Sequence, residues 1–205
     1  MPGPRATRDW GLLEGFLARG RYYRADRLIP NHLRSGRIVD LGCGSFPLFL
    51  ISTNFSEKIG LDRLLHRTPD DRFDSRDVQL EYLDLSAETS LPLPDESCDV
   101  VTMLAVLEHL PPVRVPPLMR DILRVLKKGG VFIVTTPAPW TDRLLRFMAC
   151  LRLVSPQEIA EHQATYSPAQ LGKLQRDAGF VGETIRYGYF ECGMNCWAFA
   201  GKGKG

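Results

Sequence analysis

Ile38-Val39-Asp40-Leu41-Gly42-Cys43-Gly44-Ser45-Phe46-Pro47 is the stretch that decides how this chain is read. Isoleucine, valine and an acid run into a tight glycine turn, and the apolar Leu48-Phe49-Leu50-Ile51 follows. The pattern predicts a strand, a turn and a helix. Gly42 and Gly44 lack a Cβ, so the backbone can turn sharply and approach a ligand closely. Asp40 falls at the carboxyl end of the strand, where open α/β sheets bind ligands.

The turn excludes two common occupants. A dinucleotide turn needs a third glycine so that the helix packs close to the strand. Counting from Gly42, that position holds Pro47, which argues against an NAD-dependent oxidoreductase. No glycine run followed by Lys and Ser or Thr exists to make a P-loop. An acid at this place repels phosphate and attracts an ammonium group. That suits a ligand with a cationic amino acid end and no phosphates, such as S-adenosylmethionine. Val39-Asp40-Leu41-Gly42-Cys43-Gly44 resembles motif I of the class I S-adenosylmethionine-dependent methyltransferases. Phe46 departs from the family's usual third glycine and narrows the room beside the turn.

Further signals follow along the chain. Glu57 to Asp62 reads as a second strand ending in an acid, twenty-two residues after Asp40. An acid there is placed to accept hydrogen bonds from a ribose diol; a helix N-cap is the plainer reading. Val78 to Leu83 reads as a third strand, with Asp84 and Leu85 after it. The resemblance implies an adenine contact from Asp84 and the next backbone N–H; otherwise Asp84 is a turn aspartate. Cys98 to Leu104 is the fourth strand. The preceding Leu91-Pro92-Leu93-Pro94-Asp95-Glu96-Ser97 resembles the small-molecule branch (methyltransferase type 11/12-like) of that family. Leu104 and Ala105 would line the floor of the cofactor site, and Cys43 belongs to its turn.

Glu108-His109 resembles the Glu-His pair of the branch that contains quinone methyltransferases. The Asn/Asp-Pro-Pro-Tyr/Phe box that would grip an amide or a base amine is absent here. His109 is therefore the candidate general base on a hydroxyl, or else a histidine that only holds the loop. Upstream, Trp10, Leu13, Phe16 and Leu17 have helical spacing, Gly20 breaks the run, and a second helical piece continues to Leu33. This N-terminal cap, residues 1–36, puts Tyr22 and Arg24 forward as holders of the cofactor's carboxylate. Val113 to Lys127 is an amphipathic helix ended by Gly129-Gly130, and 131–136 is a buried fifth strand. Residues 137–166 lie where the family inserts its substrate cover, so Trp140, Met148, His162 and Tyr166 are lid candidates. Ser167 caps a helix to Ala178. Glu183 to Tyr189 and Met194 to Ala200 are the last strands, and 201–205 reads as a flexible tail.

Composition is that of an ordinary globular domain: 205 residues, 44% apolar and 24% charged. A net charge of +2 makes no case for nucleic acid. No signal peptide and no membrane span are expected. Five cysteines without framework spacing predict reduced thiols in the cytoplasm. Cys192 and Cys196 read as small apolar residues, and no metal site is expected. Oligomeric state is not legible.

The resemblance implies one α/β domain with a Rossmann-like, seven-stranded, mostly parallel sheet. Its strand order would be 3-2-1-4-5-7-6, with helices on both faces and an antiparallel C-terminal strand pair. It also implies methyl transfer to a small-molecule acceptor, leaving S-adenosylhomocysteine. On His109, an oxygen acceptor is expected. The competing reading is a non-catalytic nucleotide- or partner-binding module on the same fold.

Overall fold

The structure is a computed structural model that describes residues 14–64, 77–88, 90–141 and 163–204. The sheet has seven strands in the order β3-β2-β1-β4-β5-β7-β6, as expected. They are β1 (Arg37–Leu41), β2 (Glu57–Asp62), β3 (Gln79–Tyr82), β4 (Cys98–Leu104), β5 (Leu126–Pro137), β6 (Arg186–Phe190) and β7 (Asn195–Gly201). β1 to β5 pair in parallel, and β7 runs antiparallel between β5 and β6. The helices are α1 (Glu14–Leu28), α2 (Leu48–Ser52), α3 (Val115–Val125) and α4 (Pro168–Asp177).

Strand alternation divides the core into two layers. Ile38, Val100, Leu104 and Ile133 face α1 and α2, where Ala25, Ile29, Phe49 and Leu50 cover them. Val39, Leu41, Val101, Met103, Phe132 and Val134 face the other way, against Met119 and Ile122 of α3 and Leu171 of α4. Both faces of the central strands are thus apolar, which is what a parallel sheet requires.

Several boundaries differ from the sequence reading. Gly20 does not break a helix; α1 runs through it. A Cβ at Gly20 would lie 1.5 Å from Glu191 Oε1, so the glycine admits a neighbouring side chain instead. α3 ends at Val125, before Gly129-Gly130, because the chain is already extended from Leu126, which pairs with Cys98. Glu183 lies in a turn of 3-10 helix, Gly182–Thr184, and β6 starts only at Arg186. Gly201 belongs to β7 and not to a tail. Lys202 is also held: its N–H donates to Gly130 O at 2.8 Å and its ammonium to Leu126 O at 2.7 Å. Trp10, Leu13, Met148 and His162, and most of the proposed cover between 137 and 166, lie outside the described residues.

Candidate functional site

The carboxyl ends of β1, β2 and β4 meet at the glycine turn. Asp40 sits in register with Gly60 of β2 and Thr102 of β4. It is 3% exposed, and Thr102 Oγ1 donates to its Oδ1 at 2.6 Å. Burial pushes its carboxyl up to about 7, against the Thr102 hydrogen bond and helped by the charge of Asp62. A cation bound beside it would favour the ionised form.

The turn itself is left-handed at both glycines, with φ 77° at Gly42 and 76° at Gly44. Gly42 N–H donates to Leu61 O at 2.7 Å. Gly44 N–H donates to Asp62 Oδ2 at 2.8 Å, and Leu64 N–H donates to Asp62 Oδ1 at 2.6 Å. Asp62 therefore braces the turn while each oxygen keeps a lone pair for a ligand hydroxyl. Gly42 is glycine for a further reason: a Cβ would stand 2.3 Å from Val106 Cγ2. Val106 is brought there by Ala105, a left-handed alanine (φ 58°) whose N–H donates to Thr135 O at 3.0 Å. Backbone strain of this kind collects at ligand sites. Cys43 turns its sulfur under the loop, where a Cβ on Gly60 would come within 2.7 Å of it. Burial pushes that thiol far up, so it is a packing group and only its backbone could meet a ligand.

The other candidates are distributed as follows. Leu104 is buried beside Ile38 and Phe49, and Leu85 is buried in the opposite layer. Asp84 makes the turn aspartate's contacts: its Oδ1 accepts from Ser86 N–H at 2.9 Å and from the Ser86 hydroxyl, which holds its carboxyl below the usual range. Tyr22 packs against the helix that follows the turn, its ring 5.8 Å from that of Phe49 on α2. The structure does not bring Arg24 to the turn. Its guanidinium lies 4.3 Å over the Trp197 ring on β7, three inter-strand spacings from β1, or roughly 14 Å. Trp140 is 55% exposed and its indole N–H donates to Gly193 O at 3.0 Å. Tyr166 is half-buried; burial and the Glu108 charge raise its hydroxyl.

His109 ends a single 3-10 turn, Leu107–His109, directly after β4. Its carbonyl accepts from Gln163 Nε2 at 3.0 Å. The residue before it, Glu108, is the more deeply buried of the pair. Sequence reasoning passed over Glu108, Thr102 and Val106. Thr102 becomes visible only when the β1–β4 register is known. Glu108 was in the quoted dipeptide, but nothing local shows that it points inward. Among the described residues, no three His, Cys, Asp or Glu side chains group as a metal site. No helix among them is long and apolar enough to cross a membrane, and Cys43, Cys98, Cys192 and Cys196 are free thiols.

The buried acid beneath two left-handed glycines, with a second acid bracing the turn, has the chemistry to hold an amino acid ammonium and a diol together. Comparison with known proteins bears on the family. A family model described as "Methyltransferase domain" matches residues 17–185. The chain is 35% identical over 108 residues to a probable S-adenosylmethionine-dependent methyltransferase of Mycolicibacterium smegmatis, covering 52% of this chain and 40% of that protein. It is 27% identical over 163 residues to a ubiquinone biosynthesis O-methyltransferase of Aeromonas salmonicida, covering 71% and 63%. The chain thus spans between two fifths and two thirds of the length of these curated relatives. Among solved structures, a Thermotoga maritima protein described as a possible histamine N-methyltransferase superposes with a TM-score of 0.68 at 21% identity, covering 93% of this chain and 91% of that one. At that identity the likeness speaks for the fold alone.

Proposed function

Since the chain belongs to the S-adenosylmethionine-dependent methyltransferases, we propose that it moves the methyl group to a small-molecule acceptor through an oxygen nucleophile. The observation that carries the cofactor half is the pair Asp40 and Asp62 on either side of the glycine turn. The acceptor half rests on the Glu108-His109 turn at the end of β4, and on the likeness to an O-methyltransferase.

The cofactor, when bound, supplies an already activated methyl group on a sulfonium. The chain's residues are left with holding and aligning. Asp40 would hold the ammonium end, Asp62 the ribose hydroxyls, and Asp84 with the Leu85 backbone the adenine edge. Asp84 would have to serve the ring while keeping its Ser86 contacts. Leu104, Ala105 and Val106 form the wall between the two halves. An ionisable group of the Glu108-His109 turn receives the proton that the acceptor hydroxyl gives up, His109 being the sequence's candidate. Trp140 and Tyr166, with Met148 and His162, are proposed to border the acceptor.

The test is isothermal titration with S-adenosylmethionine, S-adenosylhomocysteine and NAD. Micromolar binding of the first two and none of NAD is expected. Methyl transfer to a panel of phenols, alcohols and amines then follows. Absence of cofactor binding would return the chain to the binding-module reading. Transfer to amines alone would overturn the oxygen acceptor.

A further inference from the structure

Glu108 is 2% exposed, and among the described residues its Oε2 has no hydrogen-bond partner. Burial pushes its carboxyl up, and the Thr136 hydroxyl at the end of β5 opposes this only weakly, without the geometry of a full hydrogen bond. Arg21 of α1, the neighbouring His109 and Tyr166 of the segment before α4 are within electrostatic reach. Arg21 also faces Glu191 of the β6–β7 turn. Groups from α1, the turn after β4, the end of β5 and the approach to α4 therefore all act on this one buried carboxyl group. The Glu108 carbonyl also accepts from Gln163 N–H at 2.8 Å, which fixes the backbone that carries it.

Such an oxygen does nothing for the fold. An apolar side chain of the same length would pack there without the penalty of desolvating a carboxylate. Buried polar atoms are nearly always satisfied, and an exception on a buried acid calls for a water, an ion or a ligand. The place fits one: Glu108 lies two residues beyond Val106, whose side chain touches the glycine turn.

We propose that Glu108 is the acceptor-recognition residue, its Oε2 receiving the hydrogen bond of the acceptor's hydroxyl. The surroundings favour a neutral donor over an amine. Arg21 already supplies positive charge near the carboxylate, and a second cation would be repelled by it. What the oxygen lacks is a hydrogen-bond donor, and a hydroxyl provides that without added charge. This inference rests on the methyl-transfer reading above and assigns the specificity of that same site.

The experiment titrates phenol, and separately benzylamine, into the wild-type chain saturated with S-adenosylhomocysteine. It then repeats the phenol titration on Glu108→Met and Glu108→Gln. Phenol should bind the wild type more tightly than benzylamine does. Glu108→Met, which has no acceptor atom, should weaken phenol about tenfold or more. Glu108→Gln keeps an acceptor oxygen and should fall between the two. Both variants should bind S-adenosylhomocysteine within twofold of the wild type and melt no lower than it. Equal phenol affinity in wild type and Glu108→Met overturns the proposal, as does a wild type that ignores phenol or prefers benzylamine. A collapse of the fold in both variants also overturns it, since it would make Glu108 structural. A wild type that fails to bind S-adenosylhomocysteine overturns the methyl-transfer reading instead.

Discussion

Burial holds the Asp40 carboxyl at about 7, so near neutral pH it is divided between two states. Its folded-state value is raised above the unfolded one. The neutral form therefore contributes stability that is present in full below the ordinary carboxylate range and is lost as pH rises through about 7. In the proposed role, holding the cofactor's ammonium, Asp40 would need the opposite state. Asp40→Asn should accordingly raise the melting temperature at pH 8 and change it little at pH 4, while weakening S-adenosylmethionine about tenfold or more. In the wild type, cofactor affinity should fall by up to about tenfold per pH unit below neutrality. Calorimetry on both chains at several pH values checks both statements. Gly42 makes a second case at this scale. Gly42→Ala places a methyl group 2.3 Å from Val106 at a φ of 77°. A loss of about 1–3 kcal/mol in urea unfolding is expected, with cofactor binding impaired.

Each element shows what its local sequence does and does not specify. α4 is legible to the residue. The Ser167 hydroxyl accepts from Gln170 N–H, the Gln170 side chain accepts from Ser167 N–H, and Pro168 opens the first turn. Ser167→Ala should cost about 1 kcal/mol, read from chemical unfolding, with cofactor affinity unchanged. β1, β2 and β4 were likewise legible, because buried parallel strands are continuous apolar runs bounded by turns. Gly20 and Gly129-Gly130 misled for one reason. A glycine can mark a helix end or a close approach, and only the neighbour decides. At Gly20 the neighbour is Glu191, far along the chain. β5 begins early because Leu126 pairs with Cys98, and that pairing has no local signature.

For the whole molecule, strand order followed from the resemblance, whereas the placing of single side chains did not. Tyr22 and Arg24 are two residues apart on α1, yet one stands by Phe49 and the other over Trp197. Residues two apart on a helix point to opposite sides, so the two side chains part company at once. Arg24→Ala should therefore leave S-adenosylmethionine affinity within twofold and lower stability by about 1 kcal/mol, through the lost stacking on Trp197. Titration and urea unfolding of the same variant test both halves.

The stretch between residues 142 and 162 is fastened at each end by contacts that its own sequence does not supply. Ala138 N–H donates to Met194 O at 2.8 Å and the Thr141 hydroxyl to Ala138 O at 2.6 Å, while Gln163 N–H donates to Glu108 O at 2.8 Å. Neither fastening touches Asp40, Gly42, Gly44 or Asp62. The flanking anchors at 138–141 and 163 thus offer junctions at which the span between them can be exchanged. Transplanting the matching span from a relative with a different acceptor should transfer substrate preference to this chain and leave its cofactor affinity within about threefold. An inherited change of substrate would need no redesign of the machinery that holds the methyl donor.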